Sequence, residues 1–233
     1  MISIIIPAHK EGKILSKLLA TIVNSRNTDG MEVIVALSPE SETHILGACP
    51  DNVQLLKCKQ KGRAAQMNEA SSYAKGYILV FLHADVIPPQ TFLLDISRTM
   101  AQGYEAGFFS YQFDKANYWL KINASFTGKD GFFTGGGDQC LFIRKLVFER
   151  LGGFNQEQVF MEDFEFFKRM KNNEVRYTII KNDLLVSARK YESNSYIRVN
   201  LANLLLMLLF KLGYDGRRLK LIHDKLIYPP NYG

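Results

Sequence analysis

The chain has 233 residues, 47% hydrophobic and 22% charged, the usage of a folded globular protein rather than a disordered one. That length suits one α/β domain with appended elements and a sizeable core. A formal net charge of +6 turns the surface toward anionic partners, nucleotides, phosphorylated lipids and membranes among them, without choosing one.

In chain order, residues 2–6 read as a strand stopped by Pro7, with no basic lead-in or cleavage site ahead of it, so no secretory signal is expected. Residues 11–24 carry Ile14, Leu15, Leu18, Leu19 and Ile22 at helical spacing. Apolar runs at 32–37, 53–57 and 77–82 read as further strands, and 63–74 as a helix opening after Gly62. Continuous apolar strands separated by helices specify a parallel sheet covered on both faces. The second half differs: 103–113 is strand-like, 117–126 helical, 134–137 a flexible glycine loop, 139–143 another strand and 164–170 a short helix. With no repeat and no linker, one domain over 1–233 is expected. Residues 201–210 are apolar almost all round but too short to span a bilayer. They read first as a core helix or a homodimer interface through 196–212. Peripheral membrane docking is the second reading, because Arg189, Lys190, Arg198, Lys211, Arg217 and Arg218 flank them. Cys49, Cys58 and Cys140 form no CxxC pair and cannot all pair within the chain, which points to a reducing cytoplasm.

Four segments carry chemistry. His83 and Asp85, two apart at the end of a buried run, project to one side at the sheet edge where open α/β sheets bind ligands. Together they suit a divalent cation such as magnesium or manganese, or equally a capping aspartate beside a satisfied histidine. Arg63 follows Gly62 at a helix start, a setting that attracts phosphate or merely caps a helix. Glu162 and Asp163 open a helix, either complementing its dipole or supplying a general base. Arg189 and Lys190 follow an apolar run and suit phosphate or solvent.

Taken in order, these segments resemble glycosyltransferase family 2 over about residues 1–220. The likeness rests on Ile4–Glu11 (Ile-Ile-Ile-Pro-Ala-His-Lys-Glu), Gly62-Arg63-Ala64-Ala65-Gln66-Met67-Asn68, Leu82-His83-Ala84-Asp85, Gly137-Asp138-Gln139, Met161-Glu162-Asp163 and Ser187-Ala188-Arg189. A bacterial subgroup of the family combines these motifs. The resemblance implies a GT-A (Rossmann-like) fold with a mostly parallel central sheet flanked by helices and a C-terminal helical extension. It divides the chain into a nucleotide-sugar-binding half (1–100), an acceptor and catalytic half (101–190) and C-terminal helices (191–233). It implies an inverting enzyme with a UDP- or GDP-type donor and a Mn2+ or Mg2+ ion on Asp85 and His83. Asp163 is then the general base, with Glu162 orienting the site, and Pro7, Ala8, Glu11, Arg63, Asn68, Asp85, Asp138, Gln139 and Arg189 line the donor. The acceptor is left unspecified, lipid-linked molecules among the candidates, and no nucleic-acid motif is present. Two departures stand out: Lys10 replaces the usual Asn, and the turn after the second strand lacks its aspartate, leaving Glu40 or Glu42 as substitutes. That turn supports an alternative, a non-catalytic or weakened nucleotide-sugar-binding relative. A nucleotidyltransferase lacks support, since Pro7-Ala8-His9-Lys10 is no glycine-rich triphosphate loop.

Overall fold

A computed structural model describes residues 1–9, 12–25, 30–41, 52–115 and 117–228. Lys10, Glu11, Glu42 and Cys49 lie outside them. Strand β1 (Ile2–Ala8) is buried along its whole length and pairs in parallel with β2 (Met31–Leu37) and β4 (Ile78–Phe81). β3 (Val53–Lys57) adds in parallel to β2. Every one of these strands therefore ends at the same edge of the sheet. Beyond β4 the sheet becomes mixed: β7 (Leu141–Arg144) runs antiparallel to β4 and to β6 (Ala106–Phe113). β8 (Tyr177–Val186) is parallel to β6, and the two-residue β5 (Val86–Ile87) closes the order β3-β2-β1-β4-β7-β6-β8-β5.

Period-two alternation in β1 sends Ile4 and Ile6 to one face of the sheet and Ile5 to the other. The first face is covered by α1 (Gly12–Val23), through Leu15, Leu18 and Ile22, and by α3 (Phe92–Ala101). The second face receives α2 (Arg63–Tyr73), α5 (Lys145–Arg150) and α6 (Glu162–Asn172). There Phe81 of β4 packs against Phe148 and Phe154, each with ring centroids 4.9 Å away. α4 (Tyr118–Ser125), α7 (Tyr196–Lys211) and α8 (Gly216–Leu226) complete the chain, and Leu206, Met207 and Leu219 form a separate cluster with Met161.

The predicted helices and strands of the first half match the observed ones closely. In the second half, residues 137–139 form a single 3-10 turn rather than a loop followed by strand, and β7 starts only at Leu141. α3, α5 and most of β8 escape the periodicity reading: α5 is only six residues long, and the first four positions of β8 are all half-buried, with burial confined to Leu184 and Val186 at its end. Cys58 and Cys140 are both free and buried, and burial pushes the Cys58 thiol up to about 12.

Phe81 joins the strand beneath the site to the helices that carry it. Phe81→Ala is expected to cost about 3–5 kcal/mol in urea unfolding; a loss below about 1 kcal/mol would show that this cluster is not the joint.

Candidate functional site

At the shared strand edge, β1 ends in Ala8 and His9 and β2 in Leu37 and Ser38. The Ala8 carbonyl accepts from Ser38 N–H (3.0 Å) and from the side-chain amide of Gln66 (3.1 Å). Gln66 also donates to the Ala36 carbonyl (2.6 Å), so one buried amide ties α2 to the ends of two strands. Pro7 and Ala8, expected at the donor, are paired with Ala36 and Leu37 and present backbone here. In place of the missing acidic turn stands a polar network. His9 Nδ1 lies 2.7 Å from Ser38 Oγ, which lies 2.9 Å from Ser41 Oγ, and Lys61 Nζ pairs with Glu40 at 3.1 Å.

α2 opens at Gly62, whose φ of 121° only glycine adopts readily, and no side chain caps its first turn. The first helical residue, Arg63, places Nε 2.6 Å from Glu162 Oε1. Glu162 is buried, yet neither of its oxygens receives a directed hydrogen bond from the described residues. Burial opposes the charge on Arg63, but Glu162, Asp163 and Asp138 together outweigh it and raise its pKa. Half of the Arg63 side chain remains open to solvent.

α6 begins after Met161, a non-glycine residue at φ 63°, a strained conformation that turns the chain sharply and delivers Glu162 and Asp163 side by side. Three acids in its first turn and Arg169 and Lys171 in its last complement the helix dipole. Asp163 Oδ2 lies 4.0 Å from His83 Nε2, at the end of β4. Gly137 makes this approach feasible: a Cβ there would sit 2.0 Å from His83 Cε1 and 2.6 Å from Asp163 Oδ2. Burial, then the neighbouring Glu162 charge, pushes the Asp163 carboxyl up to about 8. Burial and the Arg63 charge lower His83 to about 3, so its imidazole is neutral at pH 7.

The expected pairing of His83 with Asp85 is therefore replaced by two separate contacts, because Asp85 Oδ2 faces Arg189 Nη2 at 3.4 Å. Arg189 is steadied by Ser187, whose Oγ accepts from its Nε at 3.1 Å. Asp138 is exposed as a residue, but desolvation of its carboxyl by the surrounding chain, and then the Asp85 charge, raise its pKa. Among the described residues no three His, Cys, Asp or Glu side chains gather to hold a metal ion. The donor set nonetheless fits a hard cation that takes most of its oxygens from a ligand: two carboxylates, Asp85 and Asp138, repel one another at the rim.

Two predicted donor contacts have other work. Asn68 uses both amide atoms on the Phe154 backbone (2.7 and 2.8 Å), and Arg169 holds the same loop through the Gly153 carbonyl (2.8 Å). Gln139 is buried, accepting from Gly135 N–H (2.8 Å) and donating to the Thr127 carbonyl (3.0 Å), which fixes the glycine loop. Glu11 lies outside the described residues. Sequence reasoning missed Gln66, although a glutamine on the buried side of α2 was itself a signal. A hollow of about 260 Å³ near Phe113 and Leu120 involves none of these groups.

A model of the family described as Glycosyl transferase family 2 matches residues 3–173. Among solved structures, a Pyrobaculum calidifontis mannosyltransferase in complex with GDP-Man and Mn2+ is 19% identical, with TM-score 0.65 over 97% of this chain and 68% of that one. S. aureus TarS 1–349 in complex with UDP-GlcNAc is 13% identical, with TM-score 0.65 over 97% and 71%. A longer TarS chain gives TM-score 0.64 at 13% identity, and this chain spans only 42% of its length. A search of curated proteins gives no sequence match.

His83 supplies a pH test. Its folded pKa lies below the unfolded value near 6.5, so as pH falls the unfolded chain takes the proton first and stability is lost. Between pH 6.5 and 5 the loss from this group is about 2 kcal/mol. Urea unfolding should show His83→Gln losing less stability than the parent over that range; equal losses would place His83 in solvent contact.

Proposed function

This chain belongs to glycosyl transferase family 2, and we propose that it transfers a sugar from a nucleotide diphosphate donor to an acceptor hydroxyl with inversion at the anomeric carbon. The observation that carries the reading is the meeting of Arg63, Glu162, Asp163 and His83 at the strand edge, brought from three distant segments. The donor diphosphate lies against the uncapped first turn of α2 and the open side of Arg63, with Arg189 at its other flank. Solved structures of the same fold hold GDP-Man with Mn2+ and UDP-GlcNAc, which supports a nucleotide-sugar donor of either base. The His9, Ser38, Glu40 and Lys61 network meets the nucleoside in place of the family's acidic turn.

In the reaction the acceptor oxygen attacks the anomeric carbon on the side opposite the diphosphate. The new C–O bond forms as the bond to the diphosphate oxygen breaks, and Asp163 takes the hydroxyl proton. Asp163 suits this role in its ionised form, which gains population as pH rises toward about 8: burial and Glu162 then make it a stronger base than an exposed carboxylate. His83, neutral, lies 4.0 Å from it, beyond hydrogen-bond distance, and Glu162 keeps Arg63 at the cleft. Asp85 and Asp138 would hold a divalent cation, which would supply charge neutralisation to the departing diphosphate. Arg63 and Arg189 stabilise the same charge from the protein side.

Two measurements test this. UDP or GDP with Mn2+ is expected to raise the melting temperature, and Asp85→Ala to remove the rise; no shift with either nucleotide would end the reading. With a turnover assay on candidate donors, Asp163→Asn should cut the rate by about 10²–10⁴-fold while leaving the nucleotide-induced shift intact. Nucleotide binding without turnover for any donor or acceptor would instead favour a non-catalytic relative.

A further inference from the structure

We propose that the outer face of α7, together with α4 beside it, docks on the surface of an anionic lipid bilayer. α7 is apolar on two sides. Val199, Ala202, Leu206 and Met207 are buried, the last two packing with Met161 and Leu219. On the other side Ile197, Leu201, Leu204, Leu205, Leu208 and Leu212 are all exposed, from 42% to 76%. Their spacing of three and four residues sets them along one face of the helix axis. Single exposed leucines need no explanation, but an unbroken stripe over four turns does.

The stripe continues sideways onto α4. The Trp119 and Tyr196 rings lie 5.6 Å apart, and Asn123 donates to Asn200 at 2.9 Å, so the two helices adjoin. Tyr118, Trp119 and Phe126 are 72%, 54% and 69% exposed. At the far end of α7, Lys211 lies 3.8 Å above the ring of Phe132, itself exposed beside Phe133. Tyrosine and tryptophan next to aliphatic residues are the groups that favour the level of lipid headgroups.

Charge selects the occupant. Neither α4 nor α7 contains an acidic residue, and their charged side chains are Lys121, Arg198 and Lys211. A second copy of the chain would bring these cations against their own kind with no carboxylate on the face to pair them. Anionic headgroups complement Lys121 and Lys211, whereas Arg198 donates to the Leu226 carbonyl (2.6 Å) and lies over the Tyr228 ring. No helix among the described residues is long and apolar enough to cross a membrane, so the contact is one of lying on the surface. The buried side of α7 touches Met161 and Phe164, which bracket Glu162 and Asp163. Docking thus holds the cleft about one helix diameter, roughly 10 Å, from the headgroup layer. The docking stands apart from the glycosyltransferase reading; only the corollary, that the acceptor hydroxyl is presented by a lipid, rests on it.

The test is flotation of the full chain with vesicles of phosphatidylcholine alone or mixed with phosphatidylglycerol. The mixed vesicles should bind about tenfold more protein, less as salt is added. Two variants should lose this: Leu201→Gln with Leu205→Gln and Leu208→Gln, which removes the apolar stripe, and Lys121→Glu with Lys211→Glu, which removes charge and leaves the leucines. Each is to keep the parent melting temperature and nucleotide response, which separates lost docking from lost fold or lost donor binding. Equal binding to both vesicles, no binding, or binding unaltered in both variants overturns the proposal. So does a dimer seen by light scattering that the leucine variant splits, since the face would then be an interface between copies.

Discussion

A carboxylate that is 1% exposed and has, among the described residues, one guanidinium as its partner is the constraint around which this site is organised. Removing an ionised group from water is expensive, and one partner compensates it only in good geometry. Among the described residues Glu162 has only Arg63 as its charge partner, 2.6 Å away. The pair connects the start of α2 to the start of α6, two helices whose first residues lie 99 positions apart in sequence and which share one face of the sheet. Met161 in its left-handed conformation and Gly62 at φ 121° are backbone devices that make the two helix starts meet. Asn68 and Arg169 reinforce the same junction through the loop at Gly153 and Phe154.

The electrostatics follow from that junction. Arg63 lies in the field of Glu162, Asp163 and Asp138, while the His83 imidazole 4.0 Å from Asp163 is kept neutral by burial. The cleft carries more acid than its described cations neutralise at close range, and two of its carboxyl groups, Asp138 and Asp163, have raised proton affinity. Such an arrangement gains from a ligand that brings a cation with it. It also keeps Asp163 basic, which a fully solvated carboxylate is not.

Much of this was legible in the sequence, for physical reasons. β1, β2 and β4 are nearly continuous apolar runs because these strands are covered on both sides, and α1 shows its buried face at helical spacing. The site segments were legible as an ordered set of motifs, since each sits at a strand end or helix start. What the chain hid was pairing. His83 and Asp85 share a side of an ideal extended strand, but β4 stops at Phe81, and past it the backbone turns, so the two find different partners. Asn68 and Gln139 stand inside motifs yet spend their amides on backbone, a distinction only tertiary contacts make. α7 illustrates the same limit: an all-round apolar helix reads as core from its sequence, whereas only one side of it is covered.

The most direct test of this account is a double-mutant cycle on the buried pair, with Arg63→Met, Glu162→Gln and the combination compared by urea unfolding. The account predicts that Arg63→Met alone leaves Glu162 without its partner and destabilises the chain more than the double variant does, with a coupling of about 1–3 kcal/mol. Strictly additive costs would contradict it, because they would mean that Arg63 and Glu162 do not depend on one another and that the junction is held by something else.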